Sequence, residues 1–247
     1  RSTFVGTPSA FTGDGYAFAK AFGHSVTPIL PSLISLETEE EWPKELMGLS
    51  LKNVTLNAYN KKKKLVYSEL GEMLFTHFGV SGPLVLSASS RIADDPAGAR
   101  LTIDLKPGLD IDELDRRLVR DFQQNSRKSF QNALDGLFPR RMIPVMVQLS
   151  GIAADVETNS VTREQRHAFA ALIKCVPITV KAAMPIDQAI ITRGGINVKE
   201  IDPSTMESKL VSGLYFAGEV IDVDAYTGGF NIQIACSTGV LAGRSII

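Results

Sequence analysis

Gly213-Leu214-Tyr215-Phe216-Ala217-Gly218-Glu219, continued through Val220-Ile221-Asp222-Val223-Asp224-Ala225-Tyr226-Thr227-Gly228-Gly229-Phe230-Asn231-Ile232-Gln233, is the stretch on which the fold turns. Leu214 to Ala217 is a short unbroken apolar run, as a strand buried on both faces requires. Gly218 ends that run, Gly228-Gly229 ends the connection behind it, and a helix is expected from about Asn231 to the chain's end. Ala235, Ser237, Gly239, Ala242 and Gly243 are small positions on that helix and allow a neighbour to pack closely. The whole reads as a strand–loop–helix unit of a doubly wound α/β sheet, in which ligands bind beyond the carboxyl ends of the strands.

The same residues suggest chemistry. Gly228 and Gly229 carry no side chain, so a flat ring or a phosphate can come close to the backbone there. They open a helix whose free N–H groups and positive dipole end favour negative charge. Glu219 can accept hydrogen bonds from sugar or polyol hydroxyls. Asp222 and Asp224 suit the backbone donors of a glycine-rich loop. A Gly-Gly pair before a helix is by itself only a turn and a cap; it is the full string that narrows the reading.

Upstream, Thr12-Gly13-Asp14-Gly15 is turn chemistry before a helical run Tyr16–Phe22 that stops at Gly23. Pro28-Ile29-Leu30-Pro31-Ser32-Leu33 is rigid and extended, as a crossing between domains would be. From about 48 to 106 the pattern is that of strands. Leu51, Val54 and Leu56 run into a polar tip and Leu65-Val66-Tyr67 returns from it, while Leu101, Ile103 and Leu105 alternate with polar residues. Lys61–Lys64 at that tip read as a solvated hairpin turn; four charges without interleaved aromatics are a poor nucleic-acid signal. From 110 to 174 the period is helical, with Asp110 as an N-cap and Thr162 with Gln165 as a capping box. Strands resume at Pro177–Met184, around Ala189–Thr192, and at Ile196–Ile201.

The chain has 247 residues, 44% apolar and 21% charged, with a formal net charge of −1. That is ordinary globular composition, with no general pull toward nucleic acid or an anionic membrane. Cys175 and Cys236 lie far apart and form no metal-ligand pattern, so a reducing, cytoplasmic setting is expected. No apolar run reaches transmembrane length.

Taken together, Gly213–Gly243 resembles the C-terminal signature of two-dinucleotide-binding-type flavoproteins. It is similar, more narrowly, to bacterial FAD-dependent oxidoreductases of the aminoacetone oxidase-like or BaiN type. Four passages in the same order carry this resemblance: TGDGY at 12–16 with Gly23-His24, GEMLFTHFGVSGP at 71–83, TRGGI at 192–196, and DPSTMESK at 202–209. It implies a mixed α/β fold, in which a partial Rossmann-like FAD-binding domain is interrupted by an inserted β-barrel with a helical subdomain. The expected boundaries are 1–25 for the first part of the FAD domain, 26–188 for the insertion with its helical block at about 110–174, and 189–247 for the second part.

The cofactor implied is FAD, with cofactor-binding positions Gly13, Asp14, Gly218, Glu219, Asp222, Gly228, Gly229, Phe230, Asn231 and Ile232. A reduced flavin carries negative charge near N1, where the helix N-terminus would stabilise it. The reaction implied is hydride transfer to or from flavin on a small organic substrate. Reduction of an enone-like group with NAD(P)H as reductant stands beside oxygen-dependent amine oxidation. No nucleic-acid or membrane partner is expected, and the sequence carries no signal of oligomeric state. The G-x-G-x-x-G turn that holds the FAD pyrophosphate in this family is absent and the first residue is Arg1, so the chain is expected to be a C-terminal fragment. A cofactor-free, non-catalytic module is the reading from another class. No catalytic residue is assigned. His77 fits either a structural histidine of the inserted domain or an acid–base group near substrate. Arg193 fits a structural pairing or a contact with a carboxylate or the flavin. His24, His167 and Cys236 read as helix-end, helix-surface and helix-packing residues.

Overall fold

A computed structural model describes residues 3–5 and 13–246. Thr12 of the expected TGDGY turn, with the rest of residues 6–12, lies outside the described residues. In chain order the strands are β1 (Thr3–Val5), β2 (Leu30–Ser32), β3 (Leu36–Thr38), β4 (Ser50–Tyr59), β5 (Leu65–Phe75), β6 (Gly79–Ser81), β7 (Arg100–Asp104), β8 (Val176–Ala183), β9 (Ile191–Arg193) and β10 (Leu214–Phe216). The helices are α1 (Asp14–Ala21), α2 (Trp42–Glu45), α3 (Pro83–Arg91), α4 (Ile111–Gln124), α5 (Phe130–Ala133), α6 (Ile143–Ser150), α7 (Arg163–Lys174) and α8 (Phe230–Ser245). They fall into two compact units, Arg1–Ser35 with Val85–Pro96 and Ala183–Ile247, and Leu36–Leu84 with Ala97–Ala182.

The second unit is a barrel with helices. Its six strands close in the order β3-β6-β5-β4-β7-β8. Alternation turns one face inward: Val54, Leu56 and Ala58 of β4 and Val176, Ile178 and Val180 of β8 are all buried, as a period of two demands. Lys61–Lys64 do form the tip between β4 and β5, where Asn60 closes the turn with Lys63 and Lys64. The helical block is capped as expected. Asp110 accepts from Glu113 N at 2.7 Å and Thr162 from Gln165 N at 3.2 Å, each with the reciprocal bond of a capping box. Phe130 stands edge-on between Phe122 at 6.0 Å and Phe169 at 5.1 Å, and Arg166 grips Asp115 through two nitrogens at 2.7 and 3.3 Å. Within the stretch read as strands, residues 83–91 are instead helical. Pro83 supplies a preset helical φ at the first position, and Ser89 and Ser90 fold their hydroxyls back onto the carbonyls of Leu86 and Ser87.

In the first unit β1 and β10 run parallel, with Thr3, Phe4 and Val5 opposite Leu214, Tyr215 and Phe216, and β2 pairs antiparallel with β9. The three residues of β10 are buried, as the unbroken apolar run requires. They pack with Tyr16, Ala19, Ile196, Ile201, Met206, Val220, Ile221 and Ala242. The expected strand at Ile196–Ile201 is not one. Ile196 makes single bridges to Val26 and Ile221, after which the Asn197 side chain accepts from Lys199 N at 3.1 Å and starts a 3₁₀ turn. This local side-chain bond outcompetes a ladder.

His24, read as a helix-end residue, is a core group: Nε2 lies 2.8 Å from Ser208 Oγ, Nδ1 3.1 Å from Glu200 Oε2, and the ring meets Phe216 edge-on. Helix α8 starts at Phe230, and Ala242 is its one buried residue among those described. Ala235 and Thr238 lie on the face toward Gly218. Cys236 is exposed rather than packed, because one residue is a rotation of about 100° around the helix.

Candidate functional site

The connection from Gly218 to Gly229 is fastened along its whole length within the first unit. Gly218, at φ 77, donates its N–H to Thr238 Oγ1 at 2.9 Å, which ties the end of the β10 segment to α8. Asp222 and Asp224, expected to serve backbone donors, accept instead from hydroxyls: Thr27 Oγ1 reaches Asp222 at 3.0 Å and Ser32 Oγ reaches Asp224 at 3.2 Å. Asn231 uses its amide on the loop itself, accepting from Ala225 N at 2.9 Å and donating to Ala225 O at 2.8 Å. Tyr226 receives Arg91 Nε on its hydroxyl and the Arg91 guanidinium over its ring, 4.9 Å from the centroid. Thr227 pairs with Ser87 at 3.2 Å. A loop held at this many points keeps its shape before any ligand arrives, and that lowers the ordering cost of binding.

Gly229 is the N-cap of α8 at φ 88, with no side-chain cap. The first-turn N–H groups are therefore not covered by a capping side chain. A Cβ placed on Gly229 would meet nothing within 4 Å, so the space beside the helix N-terminus is open. Phe230 and Ile232 of that first turn are exposed, Phe230 by 59% and Ile232 by 71%.

Glu219 completes this side of the loop. Burial raises its carboxyl above the usual carboxylate range, and among the described residues no hydrogen bond or cation offsets that. Tyr16 comes from α1. Burial raises its phenol, its hydrogen bond to Thr192 Oγ1 at 3.5 Å opposes the rise, and the charges of Glu219 and Asp222 add to it. Tyr16 and Thr192 were not singled out in the sequence, although both sit inside motifs that were, TGDGY and TRGGI. Gly13 and Asp14 open the same helix: Gly13 is its left-handed N-cap at φ 58 and Asp14 its first residue. No hydrogen bond joins either of them to the Gly218–Gly229 connection among the described residues.

The loop walls a cleft of about 500 Å³ whose other lining residues include Arg91, Asp94 and Arg193, with Asp224, Tyr226 and Phe230 on the loop side. Arg193 donates from Nη1 to Ser90 O at 3.4 Å and meets Asp94 Oδ2 at 3.5 Å. His77 belongs to the second unit, exposed in the turn between β5 and β6 with its ring edge-on to Phe78. His167 lies on α7 beside Arg163 and Asp115. Among the described residues no cluster of His, Cys, Asp and Glu could hold a metal ion, and no helix is long and apolar enough to cross a membrane.

A family model described as the HI0933-like protein barrel and H2TH domain matches residues 30–191. The chain is 28% identical over 236 residues, 94% of its length, to a 3-dehydro-bile acid delta(4,6)-reductase of Clostridium scindens, of which it covers 57%. It is 31% identical to a ribosomal RNA dihydrouridine synthase of Haemophilus influenzae, across 94% of this chain and 55% of that one. The corresponding protein of Escherichia coli is 29% identical, across 94% of this chain and 56% of that one. The chain thus spans about half the length of the curated relatives it matches, each of which is named as an enzyme. The barrel, the helical block and the residues they occupy agree with that description, and the chain belongs to the HI0933-like family.

Proposed function

We propose that the Gly218–Ile232 segment is the flavin-facing half of an FAD site, in an oxidoreductase that reduces a carbon–carbon double bond conjugated to a carbonyl. The observation that carries this reading is the pairing at one loop of an uncapped sixteen-residue helix N-terminus, open beside Gly229, with a half-buried carboxylate lacking a described partner at Glu219. These residues fit a flavin. The helix N–H groups suit its electron-rich N1 and C2 carbonyl edge, and Glu219 suits the hydroxyls of its polyol chain. Gly13, Asp14, Asp222, Phe230, Asn231 and Ile232 are proposed as the rest of the cofactor shell. In this role Asp222 and Asn231 hold the loop, and Phe230 and Ile232 lie on the exposed side toward the ligand.

When bound, the flavin supplies two-electron hydride chemistry, and NAD(P)H is proposed as the reductant. The names of the relatives favour reduction, since they describe a delta(4,6)-reductase and synthases of a dihydro-nucleoside. Oxygen-dependent amine oxidation has no such support. The narrower kinship to BaiN-type enzymes, the assignment of 189–247 to a FAD-binding domain, and a cytoplasmic setting belong to the same proposal.

The test is the visible spectrum of the complete gene product, purified and then incubated with FAD. The two bands of a bound flavin are expected, and NADH or NADPH should bleach them under anaerobic conditions. Gly229→Asn is the informative variant, because Asn adopts positive φ readily and should fold while filling the open space. It is expected to be colourless with an unchanged far-ultraviolet circular dichroism spectrum. A wild-type protein that stays colourless, or a Gly229→Asn protein as yellow as wild type, would refute the placement of the site.

A further inference from the structure

Arg193 stands at the end of β9, and the backbone of the two glycines that follow it is wedged from both sides. A Cβ on Gly194 would lie 2.0 Å from Pro28 O, and one on Gly195 2.6 Å from Val220 O and 2.8 Å from Asp222 N. The chain after Arg193 therefore passes between the segment leading into β2 and the start of the site loop. Its Cα is located relative to that loop by backbone packing, not by its own side chain. The two arginines of the cleft are committed differently. Arg91 spends its Nε on the Tyr226 hydroxyl and its plane on the Tyr226 ring. Arg193 is held by two bonds at the long end of the hydrogen-bond range, one to a backbone carbonyl and one to Asp94, whose side chain is 73% exposed. A guanidinium has five N–H donors in a planar fork, and most of those on Arg193 meet no described acceptor. The cleft into which it is set also contains Phe230, the first residue after Gly229.

We propose that Arg193 receives the carbonyl oxygen of the substrate in this cleft and carries the negative charge that develops on it during reduction. The inference rests on the flavin reading above and deepens it: the substrate would be an α,β-unsaturated carbonyl compound placed with its oxygen toward Arg193. With the hydride that reduced-flavin chemistry would supply at the β-carbon, the π pair of the double bond would form a new double bond to the carbonyl carbon, and the carbonyl π pair would become an oxyanion held at Arg193. A proton from water would then add at the α-carbon and the carbonyl would re-form, so the substrate would gain H⁻ and H⁺, with a reduced pyridine nucleotide as the source of the hydride's electrons. A fixed cation where charge appears lowers the barrier, because it needs no reorganisation at that moment. Asp94 and Asp224, the carboxylates lining the cleft, and Arg91 set the field in which Arg193 works.

The experiment is equilibrium binding, not turnover. A phenolate mimics the enolate, so para-chlorophenol is titrated into the flavin-loaded complete protein, and the long-wavelength charge-transfer absorbance is read across a pH series. Arg193→Ala is expected to weaken phenolate binding about ten- to a hundredfold, the loss of one charge-assisted hydrogen bond, and to move the ionisation of bound phenol to higher pH. Binding of the neutral analogue para-chloroanisole should not change, and Arg193→Lys should restore part of the phenolate affinity. A yellow Arg193→Ala protein that binds phenolate as tightly as wild type overturns the inference and leaves the flavin reading standing. A colourless wild-type protein overturns both.

Discussion

Burial holds the Glu219 carboxyl above its ordinary range, and the direction of that shift separates stability from function. A carboxyl with a raised folded pKa favours the fold below the ordinary carboxylate pKa, and that contribution is lost as pH rises through the raised value. Near neutral pH the ionised group is therefore a local liability in the ligand-free protein. Glu219→Gln is expected to stabilise that form near neutral pH by roughly half a kcal/mol or less, read as a higher melting temperature. The gain should vanish below the carboxylate range, where Glu219 is neutral in both states. With Glu219 in the proposed flavin site, the same substitution should weaken FAD retention about tenfold, since an amide is a poorer acceptor for hydroxyls than a carboxylate. Thermal melts at two pH values with and without FAD check both halves. A variant that is less stable at neutral pH and equally yellow would mean that Glu219 serves the fold and not the cofactor.

At the level of elements, the turn after β9 is the least forgiving point in the first unit. Gly194 combines a φ of +90° with a Cβ position 2.0 Å from a backbone oxygen, whereas Gly23 after α1 has a φ of +87° and nothing within 4 Å. Gly23→Ala should cost about 1 kcal/mol, the strain of the left-handed region alone. Gly194→Ala must also push two backbone segments apart and should cost clearly more, about 3 kcal/mol. Urea denaturation of the two variants compares them directly, and equal costs would mean that the segments yield easily.

This contrast also marks what a sequence can reveal. The turn before α1 and its stop at Gly23 were legible, as were the Asp110 N-cap, the Thr162–Gln165 capping box, the alternation of β7, and the buried run of β10. All of these are set by neighbours a few residues away. β3 and β6 are three residues each and exist because the barrel closes on them. Helix α3 follows a strand-like stretch whose composition hides it. The bond from Tyr16 to Thr192 spans 176 positions, and no local pattern announces it. The candidate loop was readable as a loop; its fastening by Thr27, Ser32, Ser87 and Arg91 was not.

At the scale of the whole molecule, the chain builds two hydrophobic cores. One gathers Tyr16, Phe216 and their neighbours from two widely separated segments. In the other the barrel interior is joined by a helical block in which Phe122, Phe130, Phe138 and Phe169 meet edge to edge. A core that is closed within one unit should report damage within that unit. Phe169 is 1% exposed, so Phe169→Ala should cost about 3–5 kcal/mol through lost burial and the cavity left behind. In native-state amide exchange the expected loss of protection falls on α4, α6 and α7 and on β7, to which Lys174 of α7 is tied by Asp104 at 2.6 Å. The amides of β10 and α8 should keep theirs, because local opening follows cooperative units more than the chain as a whole. Equal loss at β10 and at α7 would show a single cooperative core. The loop proposed to face a flavin would then lose its preorganisation whenever the helical block was damaged, and cofactor retention in Phe169→Ala would fall together with its stability.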